Sequence, residues 1–316
     1  MYENLVIIPG KIGGKCMELQ YKEFDCALKA FLPEKPAVQQ VAAGLGFTEG
    51  PVWCGDYLLF SDIPMNRIVR LDIKSNGPEL TTFKSPSGQS NGLTLDRDGR
   101  LIICESSTRR VTRYENDGSL TVLAERYQGK RLNAPNDVAA RSDGSIYFTD
   151  PLFGEPTSPK ELDFNGVYRI SPEGTLSLLV NDFALPNGLA FSPDESILYV
   201  NDTGKNTIRA YDVRQDGSVA NERLFFKMEP DDFGGPDGMK VDSEGNIYCT
   251  GVGGIWIITP EGKHLGTISL PELPANLAWG DDDWKTMYCT CRSGIYRIRF
   301  AKTGIAPYKV DSEPWL

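Results

Sequence analysis

Pro186-Asn187-Gly188-Leu189-Ala190-Phe191-Ser192-Pro193-Asp194-Glu195-Ser196-Ile197-Leu198-Tyr199-Val200-Asn201 contains the unit from which the whole chain is built. An Asn-Gly pair opens a short alternating run, Leu189-Ala190-Phe191. Ser-Pro-Asp-Glu then turns the chain, because Pro presets φ and Asp tolerates the left-handed region. The apolar run Ile197 to Asn201 returns as a second strand. The opening phrase recurs at intervals of about forty to fifty residues, the length of one propeller blade, as Phe47-Thr48-Glu49-Gly50-Pro51-Val52-Trp53, Ser90-Asn91-Gly92-Leu93, Pro135-Asn136-Asp137-Val138, Pro236-Asp237-Gly238-Met239 and Pro274-Ala275-Asn276-Leu277.

The strands and turns around each phrase repeat as well. Asp96-Arg97-Asp98-Gly99, Arg141-Ser142-Asp143-Gly144 and Asp242-Ser243-Glu244-Gly245 are hairpin turns of the same kind. Leu101 to Cys104, Ile146 to Thr149 and Ile247 to Thr250 are the returning strands. A second hairpin follows, as where Val111 to Tyr114 turns at Asn116-Asp117-Gly118-Ser119 into Leu120 to Leu123. Four strands per unit and six units predict an all-β fold, a six-bladed β-propeller with four-stranded antiparallel blades. The propeller is expected over residues 37–316 as a single domain, with residues 1–36 as an N-terminal extension packing on it. Tyr21 to Phe31 reads as a short helix. Val38 to Ala43 reads as the outer strand of the last blade, which would close the ring with strands from both ends of the chain and remove its open edges.

In such a ring the starts of the innermost strands converge on one mouth of the central channel. The converging slots hold Glu49, Asn91, Asn136, Asn187, Asp237 and Ala275. Side-chain oxygens gathered this closely, two of them anionic, repel unless something positive sits among them. A hard divalent cation meets that need. A plainer reading, that Asn-Gly and Asp-Gly only make tight connections, accounts for the glycines. It leaves Glu49 and the Asn136-Asp137 pair unexplained.

Composition narrows the function classes. The chain has 316 residues, 40% of them apolar, enough for a sizeable core. Its 33 basic and 43 acidic residues give a net charge of −10, which argues against nucleic acid or anionic membrane as a partner. No segment approaches the roughly 18 continuous apolar residues of a membrane span. The opening Met1-Tyr2-Glu3-Asn4 lacks the basic-then-apolar order of a signal peptide, so the expectation is a cytoplasmic protein. Seven cysteines, several at strand positions, read as reduced packing residues, and Cys289-Thr290-Cys291 is a weak metal signal. The single histidine, His264, falls in a hairpin and reads as an exposed turn residue, which disfavours a Ser-His-Asp triad and a His-rich zinc site together. Gly88-Gln89-Ser90-Asn91-Gly92 matches a nucleophile elbow by letter, but a strand follows it and no histidine is available.

The Phe47 to Trp53 phrase, Asn133-Ala134-Pro135-Asn136-Asp137-Val138, Tyr147-Phe148-Thr149-Asp150-Pro151, Leu185 to Leu189 and Pro236 to Met239 together resemble the SMP-30/gluconolactonase/luciferin-regenerating-enzyme family, in its bacterial gluconolactonase-like branch. The resemblance runs from about Gly44 to about Phe300. It implies a metal-dependent lactonase acting on sugar lactones, with one divalent ion held by Glu49, Asn136, Asn187 and Asp237. Ca²⁺ is favoured, with Mg²⁺, Mn²⁺, Zn²⁺ and Fe²⁺ as alternatives. Asp237 would be both ligand and general base, accepting the proton of the attacking water, and whether that water is first activated by the ion stays open. Asn91 and Asn133 would contact substrate hydroxyls, with Lys130 and Arg131 beside them. Animal members carry an arginine where this chain has Ala134, so their substrate recognition does not transfer. Two other functions compete: phosphotriester or other ester hydrolysis at the same ion, and a non-catalytic Ca²⁺-binding propeller.

Overall fold

The computed structural model describes residues 15–75, 77–153, 159–229 and 234–307. Six antiparallel sheets are arranged as a six-bladed β-propeller. The first blade comprises Thr48–Trp53, Tyr57–Asp62, Arg67–Lys74 and Gly77–Lys84, from the channel outwards. The innermost strands of the others are Ser90–Leu95, Val138–Ala140, Pro186–Phe191, Met239–Val241 and Pro274–Gly280. The predicted hairpins are present, and at the Ser-Pro-Asp-Glu turn Glu195 takes a positive φ of 57°.

The apolar core lies between blades rather than at the axis. Six buried clusters correspond to the six blade-to-blade interfaces. Val52, Leu59, Ile68, Leu93 and Ile103 join blades one and two, for example, while Tyr147, Val167, Leu189 and Val200 join three and four. Each fully buried Leu, Ile or Phe contributes about 1.5–3 kcal/mol, so these wedges hold the ring together. The axis is left free for polar side chains.

Ala37–Ala43 pairs with Gly294–Arg299 as the fourth strand of blade six, so strands from both ends of the sequence close the ring. The upstream segment departs from expectation. Within Tyr21 to Phe31, only Cys26–Phe31 is helical, a 3₁₀ helix capped by Asp25. Gln20–Glu23 is instead a strand added outside His264–Ser269 of blade five, and Cys16–Glu18 adds to blade six. Residues 1–14 of the expected extension lie outside the described residues.

His264 corrects another expectation. It begins a strand rather than sitting in the turn, and it is half-buried, its ring stacked on Trp256 at 4.3 Å between centroids. Burial holds its imidazole below the usual value. The cysteines behave as packing residues: Cys54, Cys104, Cys249, Cys289 and Cys291 are buried and all seven are unpaired. Burial pushes the Cys289 and Cys291 thiols up, away from the thiolate a metal would need. Ser90 is fully buried within a strand, as its rejection as an elbow nucleophile requires.

Candidate active site at the channel mouth

Five of the six slot residues are held through their main-chain carbonyls. Ser61 Oγ donates to Asn91 O at 2.7 Å, Gly92 N to Asn136 O at 2.7 Å, and Thr149 Oγ1 to Asn187 O at 2.9 Å. Gly188 N (3.1 Å) and Asn201 Nδ2 (2.5 Å) both reach Asp237 O. Gly238 N (2.8 Å) and Thr250 Oγ1 (2.7 Å) both reach Ala275 O. Every donor belongs to the preceding blade, so Ala275 occupies the sixth slot, as the repeat alignment indicated. The glycines after the slots have a sharper reason than turn geometry. A Cβ on Gly50 would lie 2.0 Å from Asn91 O, on Gly92 2.5 Å from Asn136 O, and on Gly188 2.2 Å from Asp237 O. Of these only Gly50 has a positive φ, so the other two serve the close approach of the next blade.

The side chains at the mouth are unevenly satisfied. Glu49 is 4% exposed, and its Oε2 accepts from Gly50 N at 2.7 Å and from Asn276 Nδ2 at 3.1 Å. Asn187 Nδ2 donates to Thr203 Oγ1 at 3.1 Å, and that hydroxyl donates to Pro236 O at 2.6 Å, tying blade four to the loop that delivers Asp237. Asn136 is buried, while Asn91 and Asp237 keep part of their surface open. Burial, and then repulsion from Asp237 and Asp137, pushes Glu49 well above the usual carboxylate range. Burial likewise raises Asp237, with Asn187 opposing and Asp137 adding to the shift. Among the described residues neither Glu49 nor Asp237 has an ion-pair partner.

That pattern fits a cation. Two acids at the axis, mutually repelling and without a basic partner, are stabilised by a positive charge placed between them. Among the described residues no three His, Cys, Asp or Glu side chains gather around one metal-sized point. The amide oxygens of Asn136 and Asn187 would therefore have to complete the donor set, which is then all oxygen and suits a hard divalent ion.

The expected substrate contacts fare differently. Asn133 is 3% exposed; its Nδ2 donates to Asp150 O (3.1 Å) and Phe164 O (2.9 Å), and its buried Oδ1 has no partner. It fastens the loop beneath the rim. Lys130–Arg131 forms a small hairpin with Arg126–Tyr127. Arg131 Nη2 donates to Thr108 O at 2.7 Å, and Lys130 is exposed. Sequence reasoning passed over two polar residues at the axis, Asp137 and Asn276, both 2% exposed. They follow the slots directly, where the other blades carry glycine, and that break in the repeat was the available signal.

A closed six-bladed propeller is a fold that enzymes and binding proteins share, and comparison narrows the class. The SMP-30/Gluconolactonase/LRE-like region matches residues 47–293, so the chain belongs to this family. It is 33% identical over 305 residues to the gluconolactonase of Zymomonas mobilis, covering 88% of this chain and 85% of that protein. Bovine regucalcin is 30% identical over 257 residues, covering 78% and 84%. The solved gluconolactonase of Xanthomonas campestris superposes with a TM-score of 0.80 at 31% identity, covering 93% of this chain and 98% of that one. The chain is a hydrolase that opens lactones.

Proposed function

We propose that the substrate is an aldonolactone, opened to its hydroxy acid at a site where Glu49, Asn136, Asn187 and Asp237 hold one divalent cation, Ca²⁺ by preference. The observation that carries this reading is the pair of acids, Glu49 and Asp237, set at the axis with no basic partner among the described residues. When bound, the cation supplies Lewis-acid polarisation of the lactone carbonyl. Asp237 is the general base. Its main chain is doubly anchored through its carbonyl and the residue keeps part of its surface open, so one carboxylate oxygen would accept the proton of an attacking water. The water oxygen bonds to the carbonyl carbon, the ring C–O bond breaks, and the departing alkoxide takes up a proton. Glu49 complements it, since a carboxylate fixed by two hydrogen bonds contributes charge without moving.

Substrate hydroxyls would meet Asn91, whose side chain makes no hydrogen bond among the described residues, with Lys130 and Arg131 on the hairpin beyond and Asn133 beneath it. Hydrogen bonds to several hydroxyls discriminate far more strongly than apolar contact, because an unsubstituted ring leaves the site's polar groups unpaired. Seven unpaired thiols support a reducing compartment, the cytoplasm. Among the described residues no helix is long and apolar enough to cross a membrane.

The test is acid release from a lactone panel, with and without EDTA. D-glucono-1,5-lactone or a pentonolactone is expected to exceed δ-valerolactone in kcat/KM by at least tenfold at equal metal loading, and EDTA to abolish turnover until Ca²⁺ is restored. Preference for the unsubstituted ring removes the sugar-lactone assignment. Full activity after chelation, in protein verified to be metal-free, removes the cation.

A further inference from the structure

Four blades carry glycine one residue beyond the slot, and two do not. Asp137 and Asn276 stand there instead, and both side chains fold back in the same way. Asp137 Oδ1 accepts from Val138 N at 2.8 Å, and Asn276 Oδ1 accepts from Leu277 N at 2.8 Å. One polar atom on each is left over. On Asn276 it is Nδ2, which donates to Glu49 Oε2. On Asp137 it is Oδ2, which is buried and has no hydrogen-bond partner among the described residues. Neighbouring glycines make the room: a Cβ on Gly92 would lie 2.9 Å from Asp137 Oδ1, and one on Gly238 2.2 Å from Asn276 Oδ1. Asp137 is also close enough to Glu49 and Asp237 to repel both.

A bare buried carboxylate oxygen costs on the order of 1–3 kcal/mol or more. Lys240 is the basic group whose field reaches Asp137, but its Nζ donates to Met239 O at 3.0 Å and the two form no ion pair. A second layer of polar groups therefore lies across the channel: the Asn276 amide, Leu189 N and the Lys240 charge all draw on the Asp137 carboxylate, yet among the described residues its Oδ2 makes no well-formed hydrogen bond.

We infer that Asp137 is a third anionic group of the cation site, set behind the four donors, where it strengthens binding by its charge and by holding the ion's hydration, while Asn276 fixes the orientation of Glu49. The inference rests on the cation reading above. Residues that support donors from behind typically govern metal affinity by about 10–100-fold.

The experiment is Ca²⁺ titration by calorimetry of EDTA-stripped protein at fixed pH, with the melting temperature of the stripped form measured in parallel. Asp137→Asn keeps the bond to Val138 N and removes the charge. The expected result is a Kd raised at least tenfold, with a melting temperature of the stripped protein equal to or above that of wild type, because a buried carboxylate that repels Glu49 and Asp237 is gone. A purely structural Asp137 gives the opposite pair: unchanged Kd and a lower melting temperature. Should that variant fail to fold, Asp137→Gly, which restores the residue four other blades use, is read in the same way. An unchanged Kd overturns the inference and leaves the cation site standing. A wild-type protein that binds no divalent cation removes both.

Discussion

Asn276 of the last blade donates its side-chain amide to Glu49 of the first at 3.1 Å, joining residues 227 positions apart in sequence. The bond crosses the seam where the ring closes, so Glu49 is oriented from Pro274–Gly280, the last inner strand to be synthesised.

Removing that amide tests how far activity depends on the seam. Asn276→Ala frees Glu49 to rotate and also leaves Leu277 N without its side-chain acceptor. The expected loss is about 1.5–3 kcal/mol of stability, the usual worth of a hydrogen bond to a charged group, together with a fall of at least tenfold in kcat/KM for lactone. Thermal melting and initial rates measure the two effects. Wild-type rates in the folded variant would show that Glu49 needs no such support.

Asp237→Asn separates holding from proton transfer. The amide keeps an oxygen at the axis but cannot accept a proton, so kcat is expected to fall by about 10²–10⁴-fold, the range for loss of a general base. Cation binding, followed by calorimetry, should weaken yet persist. A variant that binds cation with near wild-type kcat would place the base elsewhere.

Gly188→Ala probes the joint between blades four and five. Its Cβ would lie 2.2 Å from Asp237 O, a backbone atom that cannot step aside cheaply. Overpacking of this kind costs roughly 1–3 kcal/mol, and Asp237 must shift with its carbonyl. A lower melting temperature accompanied by loss of activity is expected. Stability and rate both equal to wild type would mean that the close approach is not needed.

Asp150, one residue beyond the Thr149 that holds Asn136 N and Asn187 O, gives a pH signature. It is fully buried and accepts from Asn133 N (2.7 Å) and Ala134 N (2.8 Å), yet burial pushes its carboxyl up from 3.8 to about 7. Between those values the unfolded chain has released the proton that the folded chain keeps, so this contribution is full below 3.8 and is lost as pH rises through about 7. In Asp150→Asn that titration is absent. The unfolding free energy of the variant should therefore gain on wild type by up to about 4 kcal/mol between pH 4 and pH 8, read from urea melts across the range. Parallel pH profiles for the two proteins would contradict the assignment.

The fold was legible because the hairpin signals and the slot phrase recur at blade length, each a local consequence of φ preference and alternation. The closing strand Ala37–Ala43 was legible from its β-branched valines and its place just ahead of the first blade, although its burial does not alternate. Gln20–Glu23 was not, since all four of its residues are exposed and an edge strand wet on both faces shows no period. His264 was misplaced by one step. The Pro260-Glu261-Gly262 turn ends just before it, and stacking on Trp256 is a tertiary fact that no local pattern carries. At the mouth, the slots could be read from the repeat itself. Asp137 and Asn276 could not be assigned a direction, because a residue following a slot points into the channel only where neighbouring glycines clear the space.

The hydrogen bonds to the slot carbonyls separate grammar from vocabulary. The frame grips C=O groups, which every residue type possesses, and so places a side chain at the axis without regard to what that side chain is. The mouth is in effect a six-letter word, Glu-Asn-Asn-Asn-Asp-Ala, written on a ring whose carbonyl bonds do not depend on the spelling. New chemistry in such a molecule calls for changed letters and no rebuilt blades. Ala275, held by two donors while offering no polar atom of its own, is the blank space where another letter fits.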